Sequence, residues 1–143
     1  MIHQLSIFMQ NKAGTLERVL RLFKQSNIQI ITTTLADTQD FGIFRVTCTD
    51  VERAYLVLRE AGITATLTEV EAIALDNTPG RAADALEIFA AAGIAISYLY
   101  SFLLKETGVL VFKTDNTARA EEIIRKHHLC TLNDNDFLKL AEA

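Results

Sequence analysis

Two short stretches carry residues suited to holding a small polar ligand. NKAGTL at 11–16 sets Asn11 three residues ahead of Gly14, and NTPGRA at 77–82 sets Asn77 three ahead of Gly80. In both, a strand-like run stops and an apolar helix pattern begins at once. The first N–H groups of a helix have no partner inside it and carry partial positive charge. They favour an anion such as a carboxylate. Glycine permits a tight turn or a close ligand approach, and an asparagine amide both donates and accepts. A free amino acid, with its carboxylate and ammonium, suits that combination. Asn-x-x-Gly is also an ordinary turn ahead of a helix, and one copy alone would be read that way. Two copies in register favour binding, although a shared fold could also preserve a shared turn.

The corner belongs to a longer repeat. At a constant spacing of 66 residues, Leu20 matches Leu86, Phe23 matches Phe89, and Ile28 and Ile30 match Ile94 and Ile96. Gly42 matches Gly108, Asp50 Asn116, Ala54 Ala120 and Leu58 Ile124, with no gap. Such a register argues for two copies of one fold, divided near residue 70 into domains 1–69 and 70–143.

Each copy reads β-α-β-β-α-β. Leu5, Ile7 and Met9 alternate with Gln4, Ser6 and Phe8, as a strand does. Leu16, Val19, Leu20 and Phe23 follow the spacing of one helix face. Residues 28–36 are β-branched and strand-like, ADTQDFG turns the chain, and 42–48 returns as a strand. Thr49 and Glu52 fit a capping box for a helix with Val51, Ala54, Tyr55 and Leu58 on its apolar face. Ile63, Ala65 and Leu67 alternate with threonines in a last strand. Copy two predicts strands at 72–76, 94–103, 108–113 and 129–132, with helices at 81–92 and 116–127. The tail packs back through Phe137, Leu138 and Leu140. The order is that of an α+β, ferredoxin-like split βαβ fold, two tandem units of antiparallel sheet with helices on one face. In copy two, Ile94, Ile96, Tyr98 and Tyr100 form one row, yet Leu99, Leu103, Val109 and Val111 are apolar too. A sheet wet on one side should alternate, so part of the second face or an edge is expected to be covered. Units of ~70 residues are marginal alone, so pairing of the copies, and of two chains, is expected.

Composition narrows the function. The chain is 143 residues, 50% hydrophobic and 22% charged, which is globular. No apolar run approaches the ~20 residues that cross a bilayer, and MIHQLSIFMQ lacks signal-peptide features. A cytoplasmic protein without membrane contact is expected. With 14 basic against 18 acidic residues and a net charge of −4, nucleic acid is a disfavoured partner. Cys48 and Cys130 read as buried or half-buried thiols, with their redox state left open. His127-His128-x-Cys130 reads as a helix C-terminus rather than a metal site. Asp134-Asn135-Asp136 reads as a helix cap rather than a calcium loop. No catalytic constellation and no cofactor motif stands out, so an enzyme is not expected.

The order of elements, with NKAGTL and NTPGRA at the two corners, resembles the ACT domain, an amino-acid-binding regulatory module. ADTQDFGIFRV at 36–46 is similar to a stand-alone family of two tandem ACT domains without a catalytic partner. Copy one departs from the family's Asn-x-Pro-Gly by having Ala13 in place of proline. Where many serine-responsive ACT domains carry asparagine early in the second strand, this chain has Gln29 and, in copy two, Ala95. The resemblance implies two units side by side in one continuous sheet. It implies a ligand where the first loop of one unit faces the other, so that each copy supplies half a clamp. The implied ligand residues are Asn11, Lys12, Ala13, Gly14, Thr15, Leu16, Gln29 and Ile30, then Asn77, Thr78, Pro79, Gly80, Arg81, Ala82, Ala95 and Ile96. The expected function is non-catalytic regulation: a homodimer binds a small amino acid and signals by interface rearrangement or by docking on a metabolic enzyme or regulator in trans. The alternative is a structural interaction module with no small ligand. Which amino acid binds is not written in these motifs.

Overall fold

A computed structural model describes the chain apart from Asn11, Thr38, Gln39, Asn77, Lys105 and Ala143, and apart from the side chains of Leu104, Leu140 and Ala141. The described residues form two compact units. The first joins His3–Glu69 with Asn135–Ala143; the second joins Val70–Asp134 with Met1–Ile2.

The chain opens with β1 (Ile2–Gln10), α1 (Thr15–Gln25), β2 (Ile30–Asp37), β3 (Phe41–Cys48), α2 (Val51–Glu60) and β4 (Ala65–Asp76). In the first unit β3 pairs antiparallel with β1 on one side and β2 on the other. Gly42 thereby lies between Met9 and Asp37. The Phe8 N–H donates to the Thr64 carbonyl at 2.9 Å, which sets the approach to β4 beside β1. Leu5, Ile7, Met9, Phe44 and Val46 pack in one cluster with Val19 and Phe23 of α1 and Ala54 and Leu58 of α2. Both helices therefore cover one face of the sheet, as the alternation required. Leu20, expected on the same helix face, is not part of that cluster and is 37% exposed.

The second half continues with α3 (Arg81–Ala91), β5 (Ile96–Leu104), β6 (Thr107–Thr114), α4 (Thr117–Lys126), β7 (Cys130–Thr131) and α5 (Asp134–Glu142). β6 pairs antiparallel with β4 and β5, and β7 pairs with β4. Ile73, Leu110 and Phe112 pack with Ala85 and Phe89 of α3 and with Ala120, Ile123 and Ile124 of α4. The same layering recurs, so the α+β, ferredoxin-like arrangement is present in both units.

Three differences from the sequence reading have physical causes. A bulge lies between Ile30 and Thr32 in β2 and, at the same place in the repeat, between Ile96 and Tyr98 in β5. One extra residue moves the following side chains to the other face. Ile94 and Ile96 therefore pack under the helices, but Tyr98 and Tyr100 do not continue their row. Beyond the bulge Leu99 pairs with Phe112 and Ser101 with Leu110 on the helix side, and Tyr100 pairs with Val111 on the other. That other face is covered at its centre, where Val109 and Val111 are 2% and 0% exposed.

Second, the stretch expected as two strands is one, β4, of 12 residues. TEVEA supplies no glycine, proline or asparagine to turn the chain.

Third, α2 is capped by Asp50, whose carboxylate accepts from the Arg53 N–H at 3.1 Å. Thr49 is not the cap: its hydroxyl accepts from the Gln29 N–H at 3.1 Å. Asn116 caps α4 in the same way, accepting from the Arg119 N–H at 3.0 Å.

The helix ends repeat as faithfully. Asn27, Gly62, Gly93 and His128 are left-handed. The next residue's N–H returns to a carbonyl five positions back, Ile28 to Phe23, Ile63 to Leu58, Ile94 to Phe89 and Leu129 to Ile124. This closes each helix on its last orphan carbonyls. His127 and His128 thus stand at the end of α4, and among the described residues no group of three or more His, Cys, Asp or Glu is placed to hold a metal. His128, at φ 53°, occupies the place that Gly62 takes in copy one. A side chain there is strained, so His128→Gly is expected to stabilise the chain by about 1 kcal/mol, read from urea denaturation.

Of the tail residues, Phe137 is 3% exposed and Leu138 half-buried, while the Leu140 side chain lies outside the described ones. Both cysteines are free; Cys48 is half-buried, and burial pushes its thiol up to about 11. Cys130 is exposed rather than half-buried, because it lies on the two-residue strand β7. Among the described residues no helix is long and apolar enough to cross a membrane.

Candidate functional site

Each corner is built by a left-handed glycine. Gly14 and Gly80 both have φ 89° and stand at the N-termini of α1 and α3. A Cβ on either would meet nothing within 4 Å. These glycines are therefore required by backbone geometry and not by a close neighbour. The turn closes through Thr15 N–H to the Lys12 carbonyl at 3.4 Å, and through Arg81 N–H to the Thr78 carbonyl at 3.2 Å.

Among the described residues no side chain caps α1 or α3. The contrast with α2 and α4, capped by Asp50 and Asn116, lies within one chain. The first-turn N–H groups of α1 and α3 have no intrahelical partner by geometry. They remain a positive pole at which an anion is favoured.

Each uncapped end overlooks a groove. In the first unit it is about 170 Å3, lined by Met9, Gln10, Lys12, Thr15, Leu16, Leu35, Asp37 and Gly42. In the second it is about 340 Å3, and its lining includes Leu75, Asp76, Thr78, Arg81, Ala82, Ser101, Leu103 and Gly108. Every residue of the first groove has its repeat partner in the second. The floor of each is a strand glycine, Gly42 or Gly108, and neither has positive φ. Their backbone does not demand glycine, and an added Cβ alone would make only ordinary contacts. A Cβ at Gly42 would meet Leu35 Cδ1 at 3.5 Å and Met9 Cγ at 3.7 Å, and one at Gly108 the Leu75 carbonyl oxygen at 3.4 Å.

The walls differ. In the second groove Arg81 Nε donates to both Asp76 oxygens, at 2.9 and 3.1 Å, and the Thr78 N–H donates to Asp76 Oδ1 at 3.2 Å. The Arg81 side chain first, then Thr78, holds the Asp76 carboxyl below its ordinary value, so it is anionic at neutral pH. The matching positions in the first groove are Gln10 and Thr15. A second, wider groove of about 630 Å3 lies at the same corner of the first unit, lined by Phe8, Lys12, Gly14, Arg18, Gly62 and Thr64 among others.

Of the residues expected from sequence, Lys12, Thr15 and Leu16 line the small first-unit groove, and Ala13 and Gly14 line the wider one. Thr78, Gly80, Arg81 and Ala82 line the second-unit groove. Asn11 and Asn77 lie outside the described residues, and Pro79 is exposed beside the turn. Gln29, Ile30, Ala95 and Ile96 line none of these grooves. They stand at the opposite end of β2 and β5, where Ile30 pairs with Cys48 and Ile96 with Thr114. Gln29 is tied to Thr49, and the Ala95 N–H donates to Asp115 Oδ1 at 3.1 Å. The groove residues not nominated from sequence include Met9, Gln10, Leu35, Asp37 and Gly42 with their partners Leu75, Asp76, Ser101, Leu103 and Gly108. The 66-residue register already contained the match of Gly42 to Gly108, a glycine kept as the second residue of a strand in both copies.

An ACT domain pair is the family description that matches, over residues 1–141. The structure is similar to that of a protein from Bacteroides thetaiotaomicron, at 31% identity and TM-score 0.91, covering 96% of each chain. It is similar to the regulatory subunit of aspartate kinase from Thermus thermophilus, at 17% identity and TM-score 0.63, covering 88% of this chain and 90% of that one. The corresponding subunit from Thermus flavus gives 15% and 0.61, covering 88% and 90%. At those identities the two subunits establish the fold alone. No curated protein matches the chain.

Proposed function

The chain belongs to the ACT domain pair family, and on that premise we propose that it is a regulatory protein that binds a free amino acid in its corner grooves. The observation that carries this reading is the repeat of every first-groove lining position in the second groove, beneath two helices that no side chain caps among the described residues. A carboxylate meets the helix N-terminus, and polar groups on the neighbouring strand ends receive the ammonium. Each unit contributes one groove of this matched pair. Signalling follows from linkage: a ligand that favours one arrangement of a homodimer, or one docked state with an enzyme in trans, shifts the population toward it.

The test is a thermal-shift screen of the purified chain against the twenty common amino acids. A ligand at 100 times its Kd adds about 2.7 kcal/mol, which raises the midpoint of a chain of this size by roughly 5–10 °C. A shift of that order with one or a few amino acids supports a sensor; no shift with any sinks the reading. Leu35, Leu99 and Leu103, at 56, 45 and 63% exposure, favour a second reading, a protein-docking module with empty grooves. Under it, polar substitutions at these leucines abolish assembly, and no amino acid moves the melt.

A further inference from the structure

The two grooves share a floor but not a charge pattern, and the difference bears on what binds. Asp76 and Arg81 face each other across the left-handed turn at Gly80. Both line the second groove with Leu75, Phe102, Leu103 and Val109. Asp76 is held by Arg81 Nε and by the Thr78 N–H, so its orientation is set before a ligand arrives. A carboxylate has about four acceptor positions, and these contacts leave room for an ammonium. Arg81 Nη1 also pairs with the Asp84 carboxylate, whose Oδ2 lies 3.6 Å away, longer than a hydrogen bond. A ligand carboxylate that takes the Nη hydrogens competes with Asp84 and leaves the Nε bond to Asp76 in place.

We propose that the Asp76–Arg81 pair is the recognition element for the backbone of the ligand. Asp76 receives the α-ammonium, Arg81 and the first turn of α3 receive the α-carboxylate, and the apolar wall takes an aliphatic side chain. This rests on the amino-acid reading above and narrows it to a neutral, zwitterionic, aliphatic amino acid in the second groove. The pair offers one group of each sign, as a zwitterion does; a ligand with only one of the two charges leaves one partner unmatched. Hydrogen bonds to charged groups are stronger than neutral ones; the first groove has Gln10 and Thr15 at the matching places, and its charged lining residues are Lys12 and Asp37. The second groove is expected to be the tighter, by ten-fold or more, because its two charges are held together before a ligand arrives.

The experiment is titration calorimetry of the full chain with leucine and valine, and with leucinamide and N-acetylleucine as singly charged analogues. The wild type is expected to show two binding events, with the analogues losing the tighter one. Asp76→Asn and Arg81→Gln should each weaken that event at least 30-fold and leave the weaker one in place, and Arg81→Lys should restore part of it. Both side chains are about half exposed, so these variants should keep the wild-type melt; should one misfold, the analogue titrations on the wild type still decide. Analogues that bind as tightly as leucine overturn the proposal, as do variants that retain both events unchanged. Binding of neither leucine nor valine, while another amino acid raises the melt, overturns it and leaves the sensor reading standing. If no amino acid raises the melt, both fail.

Discussion

Gly42→Val and Gly108→Val are expected to remove amino-acid binding from the first and second grooves respectively, each by on the order of 100-fold, about 2.7 kcal/mol, while the chain stays folded. The two halves of that expectation have separate causes. Neither glycine has positive φ, so a side chain meets no backbone penalty. Valine is favoured in strands, and an added Cβ meets its neighbours at 3.5 Å at Gly42 and 3.4 Å at Gly108, close to ordinary contact. Stability should hold or rise slightly. The γ-methyls, however, project into grooves of about 170 and 340 Å3 whose floor the glycine forms. Calorimetric titration of each variant should lose one event and keep the other. Unchanged binding in both would place the ligand elsewhere.

Phe89→Ala should cost about 3–5 kcal/mol, the range for emptying a fully buried aromatic site. Phe89 is 0% exposed and meets Phe112, also 0% exposed, edge to face at 5.1 Å between ring centres. Such a pair adds about 0.5–1.5 kcal/mol beyond its buried area. In the first unit the counterpart Phe23 is 1% exposed, but the position matching Phe112 is Val46. Phe23→Ala is therefore expected to cost about 1 kcal/mol less than Phe89→Ala. A domain of this size has only about 5–15 kcal/mol in total, so either change removes a large share. Urea denaturation followed by circular dichroism measures both. Equal losses in the two variants would show that the ring pair contributes nothing measurable.

The repeat was the most legible property of the chain. Phe23 and Phe89, Gly42 and Gly108, Asp50 and Asn116 kept one spacing, and the two units have the same elements at those places. Apolar periodicity placed Leu5, Ile7, Val19, Phe23, Ala54 and Leu58 in a core, and the structure buries or nearly buries all of them. The Gly14 and Gly80 corners were legible because a left-handed residue at a helix start is a local requirement. The Asp50 cap was missed because Thr49, one residue earlier, satisfies the same short motif. Only the contact of Thr49 with Gln29, 20 residues away, decides between them.

What the sequence determined by itself is whatever depends on neighbours along the chain: two copies, their helices and strands, the faces those elements bury, and two helix starts open to an anion. Tertiary structure decided which strand end meets each corner. Antiparallel pairing lays Asp37 against Gly42 and Gly42 against Met9, and the bulge at Ile30–Thr32 turns Leu35 toward the helices. The grooves are therefore floored by Gly42 and Gly108 and walled by the far ends of β2 and β5, not by Gln29 or Ala95. The Asp76–Arg81 pair has the same origin. Five residues apart is no recognised spacing on a helix face, and the two side chains meet only because the turn at Gly80 folds the start of α3 back over the end of β4.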